Sequence, residues 1–425
     1  MYRTLSAPIL VQWEVTPVCN HKCIHCYNFW RVGPPAKALP KGYKTLYSHI
    51  VDELIEAKVF SVVITGGEPL VVIKKIAPFI KRLTDAGIRV SINTNLSLLT
   101  QEIAYLLKSC GIRSVLTSFP SAVPEHCDFI TNKKNSLPAI VNGIRLAVEN
   151  GFYVSANMVV SKTTKDDIEV TASLAESIGV RNLSVTRASN PIPGSWFAEH
   201  VLNKDEFLQM QDEIDSLMKK FKFDFTSLEA IALCAYGQSH ISKVSRSCGA
   251  GKNSAAIGVD GNVRACIRLE KSYGHIDEGL SKAWLSMNEA RTGEWIPDKC
   301  QPCKLKNRCG GGCKADALVS TGSVKNPDPL CDLDNIPVLP VINIARCTAT
   351  TFAISPRLRT RVEDFGVIIS PTSTQWFPVQ SELSQVLSPG GILELSDISL
   401  ALHLNEEDAV NTASFLVDKG VLLPK

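Results

Sequence analysis

No run of apolar residues in this chain approaches the ~20 that a helix needs to cross a bilayer. The amino end, Met1-Tyr2-Arg3-Thr4-Leu5, lacks the long apolar core of a secretory signal. Excess charge is scarce as well: a net +3 over 425 residues exerts little pull on nucleic acid or an anionic membrane. These absences predict a cytoplasmic chain with no membrane and no nucleic-acid partner. Disulfides are rare in that reducing compartment, so the fourteen cysteines need another occupation. Most of them fall in groups, as metal ligands do. The remaining composition, 45% hydrophobic and 20% charged, is that of an ordinary globular protein. The length suggests about two or three domains.

The densest group is Cys19-Asn20-His21-Lys22-Cys23-Ile24-His25-Cys26-Tyr27. It spaces three cysteines as C-x3-C-x2-C, just after the strand-like run 9–15. Three thiolates can hold three corners of a [4Fe–4S] cube, which normally takes four cysteines. The fourth iron is then open to a ligand, and an open metal position is where chemistry happens. The same triad also suits zinc, with His21 or His25 as the fourth ligand.

Around this group the chain alternates between two periods. Strand-like runs fall at 9–15, 60–65, 89–94, 114–118, 153–160 and 182–187, short and apolar as buried parallel strands are. Helical patterns fall at 43–58, 74–86, 101–109, 137–150 and 165–177, most of them closed by a glycine: Gly87, Gly111, Gly151, Gly179. Successive βα units imply a parallel sheet with right-handed crossovers. A six-stranded partial barrel and a doubly wound sheet both fit. The cysteine loop follows the first strand, at the edge where α/β proteins place their sites. Other strand ends there carry polar residues: Gly66-Gly67-Glu68-Pro69, Asn93-Thr94-Asn95, Ser118, Asn157 and Arg187. The two glycines permit close backbone approach to a ligand, and Glu68 can accept from an ammonium group.

Together these residues resemble the S-adenosylmethionine (SAM) site of radical SAM enzymes. The resemblance implies a partial (β/α)6 barrel over residues 1–225. It places Tyr27, Gly66, Gly67, Glu68, Pro69, Asn95, Ser118, Asn157 and Arg187 around SAM. Gly66, Gly67 and Glu68 would meet the methionyl amine. Asn95 and Ser118 would lie near the ribose or carboxylate, and Arg187 would reach the carboxylate. A [4Fe–4S] cluster on Cys19, Cys23 and Cys26 would cleave SAM to a 5′-deoxyadenosyl radical, drawing its electron from a donor such as flavodoxin or ferredoxin. Two departures stand out. The family's Thr-Asn-Gly reads Thr94-Asn95-Leu96, and its Ser-x-Asp-Gly reads Ser118-Phe119-Pro120-Ser121.

Between 226 and 340 the periodic patterns fade. A hairpin reads from 257 to 264, with Asp260-Gly261 at its turn. The cysteines follow C-x12-G-x4-C from Cys248 to Cys266, then Cys300-x2-Cys303-x5-Cys309-x3-Cys313, then Cys331. A pair of zinc ribbons is one reading. The pattern also resembles the SPASM domain that follows the core of many radical SAM enzymes acting on peptides and proteins. That resemblance implies two auxiliary [4Fe–4S] clusters, three clusters in all. Cys300, Cys303, Cys309 and Cys331 would hold the outer one. Cys248, Cys266 and Cys313 would hold the inner one, with Cys234 or an open iron completing it. Gly310-Gly311-Gly312 suits a loop folded close to a cluster. Cys110, Cys127 and Cys347 lie outside every pattern and read as core thiols.

Prolines near 329 and 337–340 mark a linker. Beyond it, strand-like runs at 366–370 and 374–379 precede helical patterns at 381–387, 395–403 and 405–419, and the tail 421–423 looks like a returning strand. This is the outline of a winged helix-turn-helix over 345–425. The stretch 395–402 has no Lys or Arg to meet phosphate, which speaks against DNA. The segment resembles the peptide-recognition element related to the small chaperone of pyrroloquinoline quinone synthesis. That element binds the leader of a ribosomal precursor peptide by strand addition. The expectation is therefore a radical SAM oxidoreductase that matures a precursor peptide by hydrogen abstraction. A maturase of a whole protein or a small molecule is the alternative, and a zinc-binding winged-helix regulator is the alternative from another class. Glu14, Glu125 and Asp128 are candidate bases, and none is singled out.

Overall fold

Val11 and Trp13, on one face of β1 (Leu10–Glu14), are fully buried, while Leu10 and Gln12 on the other face are half-buried. The following strands are β2 (Ser61–Thr65), β3 (Arg89–Thr94), β4 (Ser114–Ser118), β5 (Tyr153–Val160) and β6 (Asn182–Arg187), close to the six expected runs. All neighbouring pairs among them are parallel. β7 (Asp224–Thr226), β8 (Ser254–Ile257), β9 (Asn262–Arg264) and β10 (Ser272–His275) extend the same sheet. Its order is β10-β9-β8-β1-β2-β3-β4-β5-β6-β7. From β1 to β7 each strand is added on the same side. A doubly wound sheet reverses direction at its first strand, so the singly wound, barrel-type alternative is the one realised. The structure is a computed structural model and describes residues 3–32, 37–241, 246–340, 343–372 and 375–425.

The crossovers are α1 (Tyr43–Glu56), α2 (Ile73–Asp85), α3 (Gln101–Ser109), α4 (Pro124–Thr131), α5 (Ser136–Glu149) and α6 (Ile168–Ser177), followed by α7 (Lys204–Lys220). α1 buries Tyr47, Ile50, Val51 and Leu54, one stripe at helical spacing. Two helices were not expected. α7 had a readable signal: Asn203 and Glu206 form a reciprocal capping box ahead of buried Phe207, Met210, Ile214 and Leu217. α4 starts at Pro124 and occupies the loop where the sequence departs from the family pattern.

The expected division at 225/226 is a change in composition and not a break in the structure. β8 pairs in parallel with β1, Trp13 opposite Ile257. The compact units are 1–339 and 340–425. The second unit holds β11 (Thr351–Ile354), β12 (Arg359–Glu363), β13 (Gly366–Ser370), β14 (Phe377–Val379), β15 (Ile392–Glu394) and β16 (Leu422–Pro424). They form two antiparallel sheets, β15-β11-β16 and β12-β13-β14. Three helices, Ser381–Val386, Leu395–Leu402 and Glu406–Asp418, share with them a core that includes Phe352, Ile354, Ile369, Ile398 and Leu416. The expected strand at 374–379 begins at Phe377, and residue 374 lies outside the described residues. β11, β12 and β15 were not foreseen. Among the described residues no helix is long and apolar enough to cross a membrane.

Candidate active site and cysteine clusters

β1 delivers the chain to the cysteine loop through Thr16-Pro17-Val18. The Thr16 hydroxyl donates to the carbonyl of Ala38 (2.7 Å) and accepts from Val18 N–H (3.2 Å), fixing this entry. Farther along, Lys22 and Ile24 donate their N–H groups to the carbonyls of Thr131 and Ile130, at the end of α4. Cys19, Cys23 and Cys26 are all partly exposed, so a bound group would be open to a ligand on one side. Of the two histidines, His21 is buried, with Nε2 3.3 Å from Ser97 Oγ. His25 has its ring beside Phe197, and burial pushes its pKa down to about 4. The imidazole is therefore neutral at pH 7.

Gly66 and Gly67 serve the cysteine loop directly. Gly67 N–H donates to Thr16 O (2.6 Å) and Glu68 N–H to Val18 O (2.8 Å). A Cβ on Gly66 would lie 2.5 Å from Thr16 O, and one on Gly67 2.2 Å from Val18 O. The close approach expected toward a ligand is thus an approach to the backbone that leads into Cys19. Gly67→Ala must push that backbone aside, at a cost of about 1–3 kcal/mol for an overpacked site. We expect the variant to keep its circular dichroism spectrum and lose SAM affinity by at least about tenfold, the equivalent of 1.4 kcal/mol. Equilibrium dialysis measures it.

Glu68 is 1% exposed and its carboxylate is already occupied. It accepts from Leu70 N–H (2.9 Å), the Thr94 hydroxyl (2.5 Å) and Asn95 N–H (2.8 Å). Burial pushes its pKa up against these three bonds. It straps the end of β2 to the end of β3. Pro69, buried, begins the turn that follows. Asn95 Nδ2 donates to Asn20 Oδ1 (2.8 Å), and Asn95 Oδ1 accepts from Ser97 Oγ (2.7 Å). Asn95 is therefore wired into the cysteine loop itself. Tyr27 is enclosed near Cys26 and Cys266 and hydrogen-bonds Thr65, and burial raises its pKa. Ser118 is exposed at the end of β4. Asn157 Oδ1 accepts from the Thr186 hydroxyl (2.8 Å).

Arg187 is 3% exposed and fully engaged elsewhere than expected. Its Nε donates to Glu229 (3.1 Å), and its Nη2 to Asp316 (2.8 Å) and Asp328 (2.6 Å). Asp328 also accepts from Cys313 N–H (3.2 Å), and Arg268 pairs with Asp316 while donating to Cys313 Sγ at 3.6 Å. The last core strand is thereby tied to the Cys313 loop. This geometry does not support Arg187 as the clamp on a methionyl carboxylate. Arg187→Met leaves three buried carboxylates short of a counter-charge. We expect it to destabilise the protein by about 3–5 kcal/mol, read from urea melts.

Two of the candidate bases are also spent. Asp128 caps α5, accepting from Asn135 N–H (2.7 Å), Ser136 N–H (2.8 Å) and the Ser136 hydroxyl (2.9 Å), and these bonds hold its pKa low. Glu14 is paired with Arg264 and accepts from Trp30 Nε1, while burial raises its pKa. Glu125 is exposed in the first turn of α4. The sequence reading missed a polar trio after β4, in which Ser121 Oγ and His126 Nδ1 both contact Asp167 Oδ2 (2.6 and 2.7 Å). It also missed an aromatic wall of Phe129, Trp196, Phe197 and His200 next to His25. The Trp196-Phe197 pair in the loop after β6 was the available signal.

The later cysteines gather in two places. Cys300, Cys303, Cys309 and Cys331 line one small pocket, and Cys234 lines it with them. Of the alternatives for completing the inner set, Cys234 is placed elsewhere: its Sγ lies 3.4 Å from that of Cys331. Cys248 lies near enough to interact electrostatically with Cys266 and with Cys313. Lys314 is 2% exposed, and its Nζ has no hydrogen-bond partner among the described residues. Cys248, Lys252, Cys300 and Cys309 lie around it, and burial pushes its pKa down. A buried, unpaired ammonium is costly, and anionic groups on these cysteines would compensate it. The residues present therefore fit iron–sulfur clusters. Gly310, Gly311 and Gly312 all have positive φ. A Cβ on Gly311 would meet Pro297 at 2.7 Å, and one on Gly312 would meet Asp328 at 2.5 Å. Protein packing, and not crowding of a cluster, accounts for those two. Cys110 and Cys127 are buried, and Cys347 packs partly buried against the core of the second unit.

Residues 13–175 match the Radical SAM superfamily. The chain is similar to the AdoMet-dependent heme synthase of Methanosarcina barkeri, 25% identical over 352 residues, 78% of this chain and 98% of that protein. It is also similar to the mycofactocin maturase MftC of Mycobacterium tuberculosis, 28% identical over 344 residues, 77% of this chain and 84% of that protein. In fold it resembles Streptococcus suis SuiB, solved with its precursor peptide SuiA, with TM-score 0.64 at 18% identity, covering 78% and 77% of the two chains.

Proposed function

We propose that this chain, an enzyme built on a radical SAM domain, matures a ribosomally made precursor peptide by abstracting hydrogen from one of its residues. The observation that carries the core of this reading is the junction of the C-x3-C-x2-C loop with Gly66 and Gly67, whose missing side chains let the two backbones touch. When bound there, a [4Fe–4S] cluster supplies one electron to SAM and so a 5′-deoxyadenosyl radical. Cys19, Cys23 and Cys26 would hold that cluster. Tyr27, Asn95, Ser118 and Asn157 line the strand ends around it, and Asn95 keeps the loop in register through Asn20. Phe197, fully buried, packs beside His25 and shields that flank of the loop from water, with the more exposed Trp196 and Phe129 against it in turn. A radical demands that exclusion, because water and stray hydrogen donors quench it.

Residues 226–340 act as a SPASM-type region. Cys300, Cys303, Cys309 and Cys331 would hold an outer cluster, and Cys248, Cys266 and Cys313 an inner one with an open iron. Residues 345–425 bind the leader of the peptide. Flavodoxin or ferredoxin is the class of electron donor. MftC is named as a maturase and SuiB was solved with a precursor peptide, which supports a peptide substrate here. The likeness to a heme synthase favours a second reading, a tetrapyrrole-sized small molecule.

The deciding experiment is anaerobic incubation of the iron-loaded protein with SAM, dithionite and candidate precursor peptides. A mass change in the peptide, with 5′-deoxyadenosine formed, is the expected result. Turnover of a small-molecule porphyrinoid with the peptide untouched would establish the second reading instead.

A further inference from the structure

Arg268 serves the inner cysteine set twice. Its backbone N–H donates to the sulfur of Cys266, two positions earlier in the chain. Its side chain reaches Cys313, 45 positions away, where Nη1 donates to Sγ at 3.6 Å. The other arm of the fork, Nη2, pairs with Asp316. Asp316 is 3% exposed and accepts from Arg187 Nη2 as well, at 2.8 Å. The guanidinium is thus held on one side by a buried carboxylate and directed on the other at a sulfur.

The outer set is served differently. Cys303 and Cys309 accept from backbone N–H groups, those of Leu305 and Leu233, both at 3.4 Å. Lys314 lies near both sets, close to Cys248 and to Cys300 and Cys309, so its charge does not tell them apart. The cysteines that interact with Arg268 are Cys266 and Cys313, both inner. Arginine is not deprotonated in proteins, so its charge there is fixed. Reduction adds one electron to a cluster. A nearby positive charge and hydrogen bonds to the sulfurs stabilise that added charge, and both raise the reduction potential.

We propose that Arg268 is a tuning residue that raises the reduction potential of the inner auxiliary cluster and leaves the outer one as it is. The proposal rests on the iron–sulfur reading above, with Cys248, Cys266 and Cys313 as the inner ligands.

The test uses the full chain, reconstituted anaerobically, with no peptide present. Iron and sulfide are counted, and each cluster's signal is followed by electron paramagnetic resonance through a redox titration. The signal lost in Cys266→Ala identifies the inner cluster. In Arg268→Gln the iron content is expected to stay at about twelve per chain, while the inner signal alone titrates at a lower potential. Arg268→Lys keeps the charge without the two-armed fork, and its shift is expected to fall between the two. An inner potential that is equal in wild type and Arg268→Gln overturns the proposal, and so does an equal shift of all three clusters. Loss of about four irons in both variants overturns it too, because Arg268 is then a structural prop. A further readout needs no variant. In wild type labelled with the heavy nitrogen isotope in the arginine guanidinium, electron spin echo modulation of the inner signal should carry a coupling to that nitrogen. Its absence overturns the proposal. A wild type that takes up zinc and no iron overturns the iron–sulfur reading instead.

Discussion

Replacing Cys19, Cys23 and Cys26 together by alanine should lower the iron content from about twelve to about eight per chain and bring dithionite-driven formation of 5′-deoxyadenosine down to the level without enzyme. The effect should be near total, because no other residue near this loop takes over. His21 Nε2 is directed at Ser97 Oγ. His25 lies against Phe197 with its Nδ1 buried and without a partner. The later cysteines belong to other loops and should keep their metal, so the loss should stop at about four irons. Zinc in place of iron, or SAM cleavage that survives the triple substitution, would remove the basis for assigning these three cysteines to a catalytic cluster.

The second large effect is expected in the unit 340–425. If a leader adds to a sheet there, it needs a free edge. β14 is an edge strand with Pro378 inside it, and proline supplies no N–H to a neighbour. β12 is the other edge of that sheet, longer and without proline, and Val362 on it is 77% exposed. The β12–β13 hairpin closes at the pair Glu363↔Gly366. Alternate pairs in such a hairpin exchange hydrogen bonds, so the N–H of Val362 faces away from β13. Val362→Pro therefore removes an outward donor and spares the ladder. We expect leader affinity to fall by at least about tenfold, measured by fluorescence anisotropy, while SAM cleavage without peptide is unchanged. Equal leader affinity in both proteins would move the binding site off this edge.

Much of this molecule could be read from its residues because period and punctuation agreed. The six core strands and the glycine stops at Gly87, Gly111, Gly151 and Gly179, with φ between +75° and +83°, are local signals and were read as such. The cysteine spacings pointed to Cys300, Cys303, Cys309 and Cys331 together, and these four line one pocket. What escaped reading was non-local. Glu68 shows a carboxylate in the sequence, but its three donors come from residues on two different loops. Arg187 ends a strand as expected, yet its partners lie 42 to 141 positions away. Cys234 stands fourteen residues before Cys248 in sequence, and only the fold turns it to Cys331. Strands of three or four residues, such as β11 and β15, are too short for a periodic signal. Each is fixed by its partners in the sheet and not by its own composition.

The pairing of β8 with β1 sets a distance. The strand that runs into Cys19 and the strand that opens the hairpin before Cys266 lie side by side, in register from Leu10↔Ser254 to Trp13↔Ile257. The buried pair Glu14–Arg264 locks β9 to the same strand. The loops that carry Cys19 and Cys266 are therefore mounted on neighbouring strands of one sheet, like two posts set in a single beam. A hinge between them would have to break that ladder. On the proposed reading, a peptide that visits both loops meets a separation set by this ladder, and its own flexibility brings successive residues to the Cys19 loop.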